Sequence, residues 1–251
     1  MVFTPDGNEC YWNAKLPGPK WAIVFSRIDN GVWSSPEIAP FSNTEYRDDS
    51  PFISADGSRF YFISRRPLIA GEKLGKKNLW MMFRTGRGWS EPQALPLSIN
   101  SLEGIHWQIS VDKDFNLFFG ICKDVYSFGR VGDIFWSEYK DGHYQKPMKL
   151  EEVINGHFYN ACPYISPDGS YLMFAREDPL TQRTGIFISF KKEKSGWSEP
   201  INLSKALGDY NQTCPIITSD GKYLFFLRWV NSFCQPYWVS AKIIQELRPK
   251  N

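Results

Sequence analysis

The chain has 251 residues, a formal net charge of +2 and an aromatic content of 16%. Its basic residues are scattered, which argues against a nucleic-acid-binding stripe, and no run approaches the roughly 18–20 apolar residues of a membrane helix. The five cysteines (Cys10, Cys122, Cys162, Cys214 and Cys234) form no CxxC pair, and their odd number argues against a disulfide scaffold or a zinc ribbon.

Met1-Val2 leads straight into the phrase FTPDG (Phe3–Gly7), with no charged and apolar leader ahead of it. AIVFS (Ala22–Ser26) reads as a strand, and Trp33 with Pro36 opens a further one. The phrase returns as FISADG (Phe52–Gly57), followed by strands RFYFIS (Arg59–Ser64) and NLWMMF (Asn78–Phe83) and by Trp89 with Pro92. A third copy runs ISVDKD (Ile109–Asp114), NLFFGI (Asn116–Ile121), DIFWS (Asp133–Ser137) and Tyr144 with Pro147. A fourth runs ISPDG (Ile165–Gly169), YLMFAR (Tyr171–Arg176), GIFISF (Gly185–Phe190) and Trp197 with Pro200. The fifth runs ITSDG (Ile217–Gly221), YLFFLR (Tyr223–Arg228) and YWVS (Tyr237–Ser240), then AKIIQEL (Ala241–Leu247), whose apolar spacing predicts a short helix.

Aligned on Asp6, Asp56, Asp112, Asp168 and Asp220, the intervals are 50, 56, 56 and 52 residues. Asp-Gly between apolar strands is hairpin chemistry, so these aspartates read as turn formers rather than acids. In repeat three the glycine is replaced and a residue added, which predicts a distorted turn. Proline three residues after the aromatic places the fourth strand at the sheet edge, its aromatic packing between neighbouring sheets. A unit of about 50 residues cannot bury its faces alone. The prediction is one all-β domain over residues 1–251, a β-propeller of five four-stranded blades with the last incomplete, or six if the repeats are miscounted. Its repeats run about 1–45, 46–101, 102–157, 158–208 and 209–251.

ISPDGSYLMF (Ile165–Phe174), WSEPQALPLSIN (Trp89–Asn100), WSEPINL (Trp197–Leu203) and DGKYLFF (Asp220–Phe226) resemble the TolB-type, WD40-like β-propeller repeats of bacterial exported proteins. The tail YWVSAKIIQELRPK (Tyr237–Lys250) resembles that of single-domain members. The resemblance covers nearly the whole chain and implies a periplasmic or exported protein; a genuine start at Met1 would instead mean a cytoplasmic one. Members usually carry a leader and then a proline-rich segment able to supply the missing outer strand, so the natural start is expected upstream. The resemblance transfers no catalytic residue.

Ligands of such a scaffold are expected at the channel mouth, on the loops before each phrase: Glu45–Pro51, Ser101–Trp107, His157–Pro163 and Asp209–Pro215. The candidate ligand-binding residues there are Arg47, Asp48, Asp49, Glu103, His106, Tyr159, Asn160, Tyr210, Asn211 and Gln212. Tyr beside Asn or Gln offers a stacking face and amide hydrogen bonds suited to a sugar or peptide. His157 lies near the same mouth. Counting back six residues from each aspartate aligns Ser50, His106, Cys162 and Cys214, which could form a soft-metal set. Small side chains in a crowded centre explain them more simply. A Cys162–Cys214 disulfide would need strands within the ~7 Å Cα limit. Arg65, Arg66, Lys73, Lys76 and Lys77 cluster in the long loop of repeat two, either a solvated insertion or a grip for an anion.

There is no GxSxG, HExxH or phosphate loop. The expected function is therefore non-enzymatic recognition of a protein, peptide or glycan by a monomer without metal or cofactor. The alternative is a carbohydrate-active lyase or hydrolase using channel-mouth carboxylates and His106.

Overall fold

Each blade starts from the same tight turn. In the computed structural model, which describes residues 1–18, 20–69, 71, 73–86, 88–123, 132–156, 159–178, 180–231 and 233–248, the hydroxyls of Thr4, Ser54, Ser166 and Thr218 donate to Asp6, Asp56, Asp168 and Asp220 at 2.6 Å. The same carboxylates accept backbone N–H groups of Asn8, Ser58, Ser170 and Lys222. The glycine that follows adopts φ between 69° and 72°, where a side chain is disfavoured. The aspartates are thus consumed in shaping turns.

Repeat three solves the turn differently and corrects the alignment. The N–H of Asp112 bonds to Asn116 O, whereas Ser54 N bonds to Arg59 O, so the turn is one residue shorter. Asp112 stands where the other repeats have Ser or Thr, and its Oδ1 accepts the N–H groups of Asp114 and Asn116, each at 2.9 Å. Phe115 takes the glycine position at φ 65°. The residue matching Asp56 is therefore Asp114, and every inner-strand position of repeat three shifts by two. The counterpart of Ser50, Cys162 and Cys214 is Gln108, not His106. All four sit at a β-bulge with φ between 48° and 54°.

Five antiparallel sheets form a ring, a five-bladed β-propeller. Blade two shows the plan, running outward through Asp49–Ile53, Arg59–Ser64, Asn78–Thr85 and Gln93–Ala94. The inner strands of the others are Val2–Phe3, Ile105–Val111, Asn160–Ile165 and Gln212–Ile217. Successive apolar side chains alternate between the two faces of each sheet, filling the gaps between blades. Among the described residues the fifth sheet has three strands, ending at Phe233–Ser240.

The aromatic and the proline have separate duties, which corrects the expected fourth strand. Trp33, Trp89 and Trp197 pair with the far end of the third strand of their own blade, and Tyr144 pairs with Tyr139 in a small hairpin. Pro36, Pro92, Pro147 and Pro200 immediately precede the two-residue outer strands, which begin at Glu37, Gln93, Met148 and Ile201. The missing N–H of proline is thus kept outside the ladder. The aromatic reaches the preceding blade, as expected: Trp89 Nε1 donates to Tyr11 Oη at 3.0 Å, and the hydroxyls of Tyr144 and Tyr61 lie 2.8 Å apart.

Blade five closes on blade one through the rings of Phe3 and Phe225, 6.2 Å apart, and through Ile216, which joins the cluster around Val2, Ile23 and Phe60. The terminal helix, Lys242–Leu247, crosses the Asp-Gly face and buries Ile244 in the main core.

Two buried amides fasten the outer strands to the loops that follow them. Asn100 accepts the Leu79 N–H at 2.8 Å and donates to Leu79 O and Leu95 O. Asn155 repeats this with Ile134 N, Ile134 O and Leu150 O. Each ends a one-turn helix, Leu97–Asn100 or Glu152–Asn155. Replacing either by Ala strands a buried donor and acceptor, so Asn100→Ala and Asn155→Ala are each expected to lower stability by roughly 2–3 kcal/mol in urea unfolding.

Candidate functional site

The loops that enter the inner strands meet at one end of the channel. Asp48, His106, Asn160 and Gln212 occupy equivalent positions there, and all four are fully buried. Each ties its inner strand to the loop before it. Asp48 accepts from Ser42 Oγ at 3.0 Å and Asn43 N at 3.2 Å, and Arg66 Nη2 bridges Asp48 Oδ2, at 2.9 Å, to Phe41 O, at 3.1 Å. Arg176 does the same for Asn160: Nε donates to Asn160 Oδ1 at 3.0 Å, and Nη2 donates to Val153 O and Ile154 O. His106 spans Lys77 O and Ile99 O, both at 3.1 Å. Gln212 donates to Leu207 O at 3.0 Å.

Burial governs the chemistry of these groups. It pushes His106 down to about 4, against the pull of its two carbonyl partners, so the imidazole is neutral near pH 7. It pushes Asp48 above the usual carboxylate range, while Arg66 and the Ser42 hydroxyl pull it back. It brings the Arg176 guanidinium down to about 10.

One residue nearer the channel, Asp49 is held by Lys77, whose Nζ lies 2.6 Å from Oδ2. Arg47 Nε lies 4.0 Å from the same oxygen. The Lys77 ammonium also sits 4.3 Å from the Trp107 ring centroid, and the Arg47 guanidinium 5.9 Å from that of Trp21. Trp107 is 37% exposed, and the Arg47 side chain is 47% exposed. Two tryptophans and two cations are thus gathered around one carboxylate at the rim.

The other predicted residues are more dispersed. Glu103 is exposed, beside Gly104, whose φ of +104° and close approach to Cys122 O leave no room for a Cβ. Tyr159 is half-buried among Ala161, Cys162 and Cys214, and burial pushes its phenol well above the usual range. Tyr210 Oη donates to Asp178 at 3.1 Å, and Asn211 bonds through its backbone to Thr184 O and Trp229 N. His157 lies outside the described residues. Sequence reasoning passed over Trp21 and Trp107 and placed Lys77 in a cluster read as solvated or anion-gripping. Arg66 and Lys77 are instead buried in ion pairs. The signal available was Trp107 itself, an aromatic beside a predicted inner strand.

At the opposite, Asp-Gly end of the channel is a cavity of about 410 Å³ with mainly apolar walls, among them Phe3, Phe52, Tyr164, Ile216 and Phe225, and with Arg248 in its lining. The polar loops and this cavity are on different faces. No group of three or more His, Cys, Asp or Glu able to hold a metal is found among the described residues, and no helix among them is long and apolar enough to cross a membrane.

The arrangement belongs to the β-propeller class. No family model and no curated protein matches the chain. Among solved structures it is similar to TolB from Acinetobacter baumannii, with a TM-score of 0.59 at 14% identity over 96% of this chain and 51% of that one. It is also similar to an endo-arabinase from Bacteroides thetaiotaomicron, TM-score 0.54 at 13% identity, covering 96% and 94%. A gluconolactonase from Xanthomonas campestris gives 0.52 at 11%, covering 91% and 70%. The chain spans about half the length of TolB. At these identities the likeness establishes the fold alone.

The His106 latch has a pH signature. The unfolded chain takes up this proton near the ordinary histidine value of 6.5, the folded chain only near 4. Its contribution is therefore complete above pH 6.5 and is lost as pH falls toward 4, roughly 3 kcal/mol in all. Denaturant titrations at stepped pH are expected to show this slope in the wild type and a shallower one in His106→Gln.

Proposed function

We propose that this propeller is a non-enzymatic recognition module of the TolB-like, WD40-like repeat type, a single domain that binds a protein, peptide or glycan across its channel-mouth face. The supporting observation is that the ionisable groups there are neutralised or sealed. Asp49 is paired with Lys77 and Asp48 with Arg66, and His106 is buried against two carbonyls. A glycosidase needs two carboxyl groups that reach the substrate, and Asp48 and Asp49 are spoken for by cations. What faces solvent is a tryptophan-edged, polar rim with its charges largely matched. Such a rim suits the stacking and hydrogen bonding of a sugar, which makes a glycan the favoured ligand of the three. An exported or periplasmic setting accords with the repeat resemblance and with the TolB likeness in fold.

A glycan array and a library of extended peptides, each screened with the purified protein, would test this. Hits titrated by calorimetry are expected to lose about tenfold or more in affinity in Trp107→Ala, with the melting temperature little changed. Product formation from any hit, detected by mass spectrometry and abolished by Glu103→Gln, would overturn the non-enzymatic reading. A hit whose affinity Trp107→Ala and Arg47→Ala leave unchanged would overturn the mouth as the site.

A further inference from the structure

Cys162 and Cys214 occupy the same bulge position on the inner strands of blades four and five, at φ 52° and 54°. Each is followed by a proline, Pro163 or Pro215. Their sulfurs lie 3.2 Å apart, in thiol contact across the gap between the blades; the aligned repeats placed the two at equivalent positions without fixing this distance. A disulfide needs about 2.05 Å, a closure of about 1.1 Å that small side-chain rotations can supply. Cys162 is sealed in a pocket with Ala161 and Ala175, while Cys214 is partly exposed beside it.

The place matters mechanically. The fifth sheet lacks an outer strand among the described residues, and its third strand leaves Phe233 and Trp238 largely exposed. A cross-link from its inner strand to blade four would hold it in the ring.

We propose that Cys162 and Cys214 are a dithiol–disulfide pair that, when oxidised by a disulfide donor, staples the fifth blade to the fourth. In the first step the Cys214 thiolate attacks one sulfur of the donor R–S–S–R, releasing one thiolate, which takes up a proton. The Cys162 sulfur, on losing its proton, then attacks the mixed disulfide at Cys214 and expels the second thiol. The balance is two protein thiols and one donor disulfide giving one protein disulfide and two free thiols. Cys214 is the entry point because it is the accessible member. The hydrogen bond from Cys162 also favours the Cys214 thiolate and disfavours that of Cys162. The staple closes a loop of about 50 residues in the unfolded chain, the regime in which a cross-link removes substantial entropy.

The folded wild-type protein, treated with oxidised glutathione and then with iodoacetamide, is the test. Expected are a mass decrease of two hydrogens before alkylation, a non-reduced digest joining the Cys162 and Cys214 peptides, and a melting temperature about 5–10 °C above that of the reduced protein. Cys122→Ser, whose thiol also lies near Tyr159, should keep the link and the shift; Cys214→Ser should abolish both. Alkylation of both Cys162 and Cys214 after oxidation, a link from either to a different cysteine, or an unchanged melting temperature on forming the link would overturn the proposal. The wild-type comparison stands even where a serine variant fails to fold.

Discussion

The structure depends on one constraint: five inner strands converge where water is excluded, and the loops feeding them must still satisfy their backbone groups. A carbonyl left unpaired at that depth costs on the order of 1–3 kcal/mol. Each of the last four blades meets the requirement with one buried polar residue at the head of its inner strand, Asp48, His106, Asn160 or Gln212. Four different side chains solve the same problem. Where the side chain is too short to reach the loop carbonyl, an arginine from the neighbouring strand, Arg66 or Arg176, spans the remainder. His106 and Gln212 reach it directly.

That solution decides what the mouth can do. Polar residues committed to holding loops are not available to a ligand, and Asp48 and His106, the most reactive-looking pair in the sequence, are among them. The groups left at the rim lie one position along or on adjacent strands: Asp49 with Lys77, Trp107, and Arg47 beside Trp21. Buried and half-buried ion pairs add little net stability, but they hold the rim in a defined shape with its charges matched. The recognition proposed for this face rests on that geometry.

Much of the fold was legible because its signals are local. Arg59–Ser64 was read with its observed bounds, and the second strands of repeats three to five and all the third strands to within a few residues, because apolar runs stood between turn residues; the second strand of repeat one, Glu9–Lys15, was not read. The Asp-Gly turns were read correctly because hydroxyl, carboxylate and glycine lie within four residues of one another. Repeat three was misaligned for the same reason. Asp112 mimics the repeat aspartate in sequence while filling the Ser/Thr place in space, and only the shortened Asp112–Asn116 turn reveals the shift. That error placed His106 with the cysteines rather than with Asp48, Asn160 and Gln212. The aromatic-to-proline spacing was likewise read as one strand, although a chain reversal separates the two. The candidate site was legible only in outline: the loops that enter the inner strands were named, but buried and exposed members could not be told apart.

The sequence by itself determined the repeat, its turn chemistry and most of the strands that build each unit, since all of these are written in contiguous residues. Tertiary structure alone decided which polar groups face the interior, which cations neutralise Asp48 and Asp49, and that Cys162 and Cys214 touch although 52 positions apart. The physical reason is that burial and pairing at a ring's centre depend on strands brought together from different blades. No local pattern carries that information, because a polar residue at the head of a strand looks the same whether it meets a ligand or a carbonyl.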